Sequence, residues 1–423
     1  MPASERLYYA DSFLKSFPAV VADVRELSRT EGESVWQIAL DRTAFIPTSG
    51  GQPNDTGLLR ATSPGGASLD IPIDSVEEDE SGQVWHFARK PLAVGAHVEG
   101  HIDWPRRFDH MQQHTGQHLL SAIFLRELDA PTVSFHLGES VSTIDLATGP
   151  IGHRLESVER LANEVIAEDR RVSSRTIPRA EAEALLAAGD LRKLPERPGN
   201  IRIIEIEDLD RNACGGTHVR STGQIGGLLL RDTEKVSRGV RVKFLCGLRA
   251  VRAARADAAI LNQATATLSV PAADIPAAVE RLKSDSKVAA KDRQRLREEL
   301  ADYHASRLTV EVPIDNGLRF IDRVWKDRDP EYTRLLASRL ASAAPSTIIL
   351  LCSEATDPVS IVFARSLNLN CDCGRILKES LSQLGLRGGG SPEFAQGEVP
   401  ALELAKLRAS LLAGVREALT QAR

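Results

Sequence analysis

The sequence predicts an α+β protein of several domains: a small N-terminal β-barrel, an α+β domain carrying a metal site, a helical hairpin and a C-terminal α/β domain. Three observations carry this reading. Short strand-like runs separated by Gly, Pro and Ser fill the first hundred residues, a strong helix opens at Pro105, and strand and helix patterns alternate from Thr309 onward. A chain of 423 residues is also too long for one core, so roughly two to four domains are expected.

Val35–Leu40, Ser68–Ile73, Val84–Phe87 and Val98–Ile102 are strand-sized, and their spacing suggests a barrel or sandwich over residues 1–100. Pro105 opens a helix that runs to Leu128, with Phe108, Met111, Leu119, Ile123 and Phe124 as its core positions. Val133–Leu137 and Val141–Leu146 read as strands around a turn at Gly138, and Leu155 to Ile166 keeps helical spacing. Ile201–Ile206 and Val240–Leu245 are further strands, so residues 101–248 form an α+β domain. The segment 249–308 is rich in Ala, Arg, Lys, Glu and Leu; Pro271 and Pro276 divide it into two arms, most simply an antiparallel hairpin. In 309–423 the expected order is strand Leu318–Ile321, helix Glu331–Ala343, strands Ile348–Cys352 and Val359–Ala364, helix Gly374–Leu384, and a last helix from Pro400 to Ala422.

The formal charge is −5, so composition makes no global case for nucleic-acid binding; any RNA contact rests on local basic patches. Lys235, Arg238, Arg241 and Lys243 gather on one predicted hairpin, and Arg293, Arg295 and Arg297 on a helical arm. The first residues lack the apolar stretch of a signal peptide, and no apolar run approaches the ~20 residues of a membrane span. Five cysteines without framework spacing point to a reducing compartment, the cytoplasm, with Cys371 and Cys373 as core thiols.

Two short motifs carry the chemistry. His114-Thr115-Gly116-Gln117-His118 places two imidazoles at i and i+4, about 40° apart on a helix. Cys214-Gly215-Gly216-Thr217-His218 repeats the four-residue step with a thiolate and a third imidazole, the two glycines letting the backbone fold tightly. Two imidazoles on a helix are commonly a packing pair and a lone Cys commonly core, but together the four make an N/S set suited to one zinc ion. His110 competes with them through its own i,i+4 relation to His114; eight residues separate it from His118, about 12 Å of helix, so it is expected to pack or support. Gly116 is expected to let another backbone approach the helix. Thr115 stands where a metalloprotease helix carries its Glu, which disfavours peptidase chemistry.

These two motifs resemble the editing domain of alanyl-tRNA synthetases and the free-standing AlaX proteins. Thr48-Ser49-Gly50-Gly51-Gln52-Pro53 with Asp55-Thr56-Gly57 resembles the family's glycine-rich motif. Ser134-Phe135-His136-Leu137-Gly138 resembles its strand-turn facing the metal, and Lys235 to Val242 its basic closing hairpin. Arg387 to Gly397, with Gly388, Gly389 and Gly390, resembles the glycine-rich loop of the DHH-associated C-terminal domain, so the likeness spans nearly the whole chain.

The resemblance implies a trans-editing hydrolase that removes serine, and also glycine, from mischarged tRNA(Ala) with one zinc ion held by His114, His118, Cys214 and His218. It implies Thr43 as a catalytic-site hydroxyl that bonds the serine side chain, a plain β-branched strand residue being the alternative, and His136, where the synthetases tend to carry Lys, as the polar group over the metal, with Gly50, Gly51 and Gln52 beside the substrate. It implies Lys235, Arg238, Arg241 and Gly388 to Gly390 against RNA. A full set of four protein ligands is the pattern of a closed, structural zinc site, so a non-catalytic zinc protein that binds tRNA is a competing reading, as is editing of a different tRNA. With the sequence opening on the expected barrel, charging of tRNA is not expected, and no DHH motif occurs in it; the nearest string is Asp109-His110-Met111. Leu282, Val288, Leu296 and Leu300 near heptad spacing suit contact with a second copy, a homodimer through the C-terminal half.

Overall fold

The computed structural model describes residues 3–30, 33–62, 66–196 and 199–421, and the chain divides into two compact units, 1–263 and 264–423. The first opens with β1 (Glu5–Arg6), the single-turn α1 (Leu7–Ala10), β2 (Ser16–Thr30), β3 (Glu33–Leu40) and β4 (Arg42–Thr43). There follow β5 (Gly57–Thr62), β6 (Ser68–Ile73), β7 (Ser75–Glu78), β8 (Val84–Ala88) and β9 (His97–Ile102). Seven of these pair antiparallel in the order β6-β5-β9-β2-β3-β8-β7.

This sheet corrects the barrel expectation, because its hydrogen bonding does not close. β2, absent from the sequence reading, spans both halves: Ser16 to Val20 pair with β9 and the rest with β3, with register shifts after Val21 and Glu26. Such bulges curl a sheet. The edge strands β6 and β7 are joined through Asp74 alone, so the rims lie within one residue's reach of each other. The chain crosses from rim to rim there and no ladder forms between them. Phe17, Val21, Ile38, Phe45, Leu59 and Ile71 fill the interior.

α2 (Trp104–Leu128) follows, its N-terminus capped by Asp103, whose carboxylate accepts from Arg106 N, with Pro105 in the first turn and left-handed Asp129 at the C-cap. From His110 to Phe124 every residue is buried, so this is a central helix rather than a surface one. Around it stand β10 (Thr132–Leu137), β11 (Ser142–Leu146), α3 (Leu155–Ala167), β12 (Val172–Ile177), α4 (Arg179–Ala187), β13 (Ile201–Ile206), β14 (Asp210–Ala213), β15 (Leu228–Val236) and β16 (Gly239–Cys246). They form two antiparallel sheets, β10-β11-β16-β15 and β12-β13-β14. β12, α4 and β14 were not expected from the sequence, and of β15 only its end in the basic hairpin was, since their short, mixed patterns acquire a buried face only in the assembled domain.

α5 (Leu248–Leu268) and α6 (Ile275–Glu311) are helical on either side of Ser269–Asp274. Pro276 opens α6 within its first turn, where its missing N–H is harmless. In the second unit β17 (Arg319–Trp325), α7 (Pro330–Ala343), β18 (Thr347–Ser353), β19 (Val359–Arg365), α8 (Cys373–Ser382), β20 (Gly388–Gly390), β21 (Phe394–Val399) and α9 (Leu404–Gln421) make a five-stranded sheet, order β17-β18-β19-β21-β20. α6 and α7 cover one face through Ala305, Leu308 and Leu336; α8 and α9 cover the other through Leu377, Leu407 and Leu411. Coverage on both faces explains why every residue of β18 is buried. Cys371 and Cys373 belong to that core. Among the described residues no helix is long and apolar enough to cross a membrane.

Candidate metal centre

α2 presents His114 and His118 one turn apart, and the loop after β14 presents Cys214 and His218; one donor atom from each lies within 4.8 Å of all the others. Cys214 Sγ sits 3.4 Å from His114 Nε2 and 3.3 Å from His218 Nε2. Tetrahedral zinc with bonds of ~2.0–2.1 Å to nitrogen and ~2.3 Å to sulfur separates such donors by roughly 3.6 Å, so the residues fit a zinc-sized ion.

Each imidazole is held from behind. His114 Nδ1 lies 2.8 Å from Gln52 Oε1, His118 Nδ1 3.2 Å from Asp210 Oδ2, and His218 Nδ1 3.2 Å from Thr115 Oγ1. With Nδ1–H donating to each oxygen, every Nε2 lone pair is left to face the cluster. Gln52 is itself locked: Oε1 also accepts from Thr217 N (3.0 Å) and Nε2 donates to Thr217 Oγ1 (2.8 Å). Asp210 is braced by Asn212 Nδ2 at 2.6 Å and by Arg192.

The electrostatics are those of a donor set. Burial opposes ionisation of Cys214, yet His114 and His218 pull its thiol well below the ordinary range. Burial, with His114 adding, drives the His218 pKa well down, so it stays neutral. Burial also disfavours charge on His118, but Asp210 and Cys214 prevail and push it up to about 9, so this imidazole must give up a proton to ligate a metal.

Glycines allow the close approach. A Cβ on Gly216 would stand 2.3 Å from His114 Cε1 and 2.7 Å from Gln52 Oε1, so no larger residue fits. Gly216 is thus the demanding position of the pair, while Gly215 has only the Tyr9 hydroxyl at 3.5 Å. Gly116 admits the Cys246 side chain, Sγ 2.3 Å from its virtual Cβ, rather than a second backbone.

Several expected roles change. Gln52 is fully buried, with its amide committed to His114 and Thr217. His136 is exposed on β10, and strand alternation turns it away from its neighbour Phe135, whose ring lies 5.9 Å from that of His114. The position beside the cluster therefore belongs to Phe135. Gly51, with φ of +85°, packs under it; a Cβ there would meet Phe135 Cε2 at 2.7 Å, whereas Gly50 is open. Thr43 is fully buried, its hydroxyl accepting from Phe45 N (3.1 Å) and lying 2.8 Å from His86 Nε2. His110 is buried with Nδ1 unpartnered, and burial with nearby Arg106 and Arg249 holds its pKa near 3.

Of the basic hairpin, Arg241 is tied to Asp145 (2.7 and 2.9 Å) and Lys243 to Asp232 (3.2 Å) and Glu234; Lys235 and Arg238 are exposed without ion-pair partners among the described residues. On α6, Arg295 pairs with Asp292 and Arg297 with Asp329 and Glu331, leaving Arg293 exposed. Gly388–Gly390 is a strand rather than a loop: a Cβ on Gly388 would meet Leu381, and one on Gly390 the Phe394 carbonyl, so packing alone requires both glycines. On α6, Leu282, Val288 and Leu296 are exposed, while Leu300 packs into the core beneath α7.

Sequence reasoning missed Asp210, the support role of Thr115, and Arg107. The last is fully buried, gripping Asp55 through Nε at 2.9 Å and donating to the Ser12 and Ala44 carbonyls, which ties α2 to the glycine-rich segment. Neighbouring Arg106 and Arg107 differ only in burial, which the sequence does not display.

A fold with this centre defines a class: residues 201–241 match the family described as the threonyl and alanyl tRNA synthetase second additional domain. An alanine–tRNA ligase of Pyrococcus abyssi is 33% identical over 96% of this chain and 43% of its own length. An alanyl-tRNA editing protein, AlaX-L, of Pyrococcus horikoshii is 29% identical over 96% of this chain and 99% of its own. The chain is thus similar to alanine–tRNA ligases and to an alanyl-tRNA editing protein, and it spans less than half the length of the ligases. The C-Ala domain of Aquifex aeolicus alanyl-tRNA synthetase aligns with 24% of this chain and 96% of its own, at 20% identity and a TM-score of 0.23.

Proposed function

We propose that this protein is a zinc-dependent hydrolase that deacylates mischarged tRNA(Ala), with the seryl ester as its main substrate and the glycyl ester as a second. The observation that carries the reading is the buried set His114, His118, Cys214 and His218, with every Nδ1 anchored to a separate oxygen. A partner behind each imidazole fixes its ring orientation and raises its basicity toward a bound ion. The AlaX-L relative, matched along nearly its whole length, supports the same substrate class.

Zinc bound there would supply Lewis acidity toward an ester carbonyl or a water molecule. The protein's own part is orientation and shielding. Gln52, Asp210 and Thr115 fix the three imidazole planes, and Phe135 on Gly51 covers His114 and limits water at that side. Thr43 and the glycine-rich loop are proposed to set the choice of amino acid. Lys235 and Arg238, the uncommitted cations of the β15–β16 hairpin, are proposed to meet RNA phosphates, with Gly388 to Gly390 a further proposed RNA contact and the exposed apolar stripe of α6 a proposed dimer contact. All five cysteines are free thiols, which suits the cytoplasm as the proposed compartment.

Release of labelled serine from Ser-tRNA(Ala) and from Ser-tRNA(Thr), with and without a chelator, tests the proposal. Chelator-sensitive release from the alanine tRNA is expected. Preference for the threonine tRNA would reassign the substrate, and binding without release from either would mark a non-catalytic protein.

A further inference from the structure

Beside His218, in the first unit, lies a cavity of about 160 Å³ whose lining includes Asp11, Phe13, Ser173, Arg202, His218 and Arg220. That space suits a phosphate group rather than a whole nucleotide.

Arg202, on β13, is the unusual member. Its Nη1 donates to the carbonyls of Cys214 (3.1 Å) and Gly216 (2.7 Å), bracing the ligand loop. Its Nε is buried with no hydrogen-bond partner, and among the described residues no carboxylate pairs with its guanidinium. The guanidinium is half-buried and lies 5.7 Å from the centroid of the Tyr9 ring. Arg220 stands at the same cavity, 4.1 Å above the Phe13 ring and 3.3 Å from Asp11, so it is a second cation that can exchange one anion for another. Asp11 also accepts from Phe13 N at 2.9 Å, which keeps its carboxylate engaged when Arg220 turns away.

We propose that this cavity binds the phosphate of the substrate's 3′-terminal nucleotide, with the half-buried Arg202 as the inner anchor and Arg220 as the outer clamp. The inference rests on the tRNA reading above. In an aminoacylated 3′ end one ribose separates the ester from that phosphate, so a phosphate beside His218 leaves the ester within reach of the ligand cluster. Arg202 is a positioning residue: it holds the loop bearing Cys214 and the substrate's backbone with one guanidinium.

The test is titration calorimetry of the full chain with adenosine 5′-monophosphate, adenosine and inorganic phosphate. The monophosphate should bind at least tenfold more tightly than adenosine. Arg202→Gln should erase that preference, Arg220→Gln should cut it several-fold, and Asp11→Asn should strengthen it. Should Arg202→Gln fail to fold, the opposite responses of Arg220→Gln and Asp11→Asn decide. Equal binding of monophosphate and nucleoside, or a preference that survives both arginine changes, overturns the proposal. So does inorganic phosphate binding as tightly as the nucleotide, which would assign the cavity to a free anion. Because binding is read without hydrolysis, Arg202-dependent nucleotide binding without deacylation would sink only the editing reading. Deacylation with flat titrations would sink only the phosphate site.

Discussion

Gln52 Oε1 lies 2.8 Å from His114 Nδ1, across 62 positions of chain, and through Thr217 it joins the N-terminal sheet to both ligand motifs at once. Removing that support should loosen the centre without unfolding the domain. Gln52→Ala is expected to lower zinc affinity ~10–100-fold, the usual effect of losing a partner behind a ligating imidazole. Competition with a colorimetric chelator measures it, and unaltered affinity would mean the Gln52 contact plays no part in binding.

A hydrogen-bond chain runs from Phe45 N–H to the Thr43 hydroxyl, from that hydroxyl to His86 Nε2, and from His86 Nδ1–H to the Ile38 carbonyl. Burial lowers the His86 pKa to about 4, against an ordinary 6.5. A lowered histidine pKa favours the fold above pH ~6.5, and this stability is lost as pH falls toward ~4, about 3 kcal/mol in all. Chemical denaturation at pH 7 and pH 4 should show that loss, and His86→Gln should shrink it. An identical acid loss in the variant would place the effect elsewhere.

Thr43→Val breaks the same chain and leaves Phe45 N–H unsatisfied, a cost of about 1–3 kcal/mol. A uniform fall in seryl and glycyl deacylation would assign Thr43 to folding alone. A larger fall on the seryl ester is the outcome expected of a residue that selects substrate.

Arg107 and Asp55 are both fully buried, so removing one partner should cost far more than removing both. Asp55→Ala or Arg107→Met is expected to destabilise by about 3–5 kcal/mol, and the double variant Asp55→Leu/Arg107→Met by less than the sum. Additive losses in urea unfolding would deny that the two residues act as a pair.

Lys235→Ala and Arg238→Ala should each reduce the salt slope of tRNA binding by about 1, as expected for a lost phosphate contact. Arg241→Ala should leave the slope unmoved, because its charge already serves Asp145. Filter binding across a salt series separates the three, and equal slopes throughout would remove the hairpin from the RNA interface.

The His/Cys cluster, the central helix and most strands with a clear apolar period are legible in the sequence alone, because spacing along a helix or strand is a local property. The pairs His114–His118 and Cys214–His218 announce themselves over five residues each. Only the tertiary structure decided what stands behind them. The partnership of His118 with Asp210 spans 92 positions, Arg107 is told from Arg106 by burial alone, and Phe135 displaces His136 because of the face that β10 turns inward. It also decided that the seven-stranded sheet stays open, since the chain itself crosses at Asp74 where a closing ladder would run. Such features arise from long-range packing and desolvation, where a residue's role depends on what the rest of the chain folds against it.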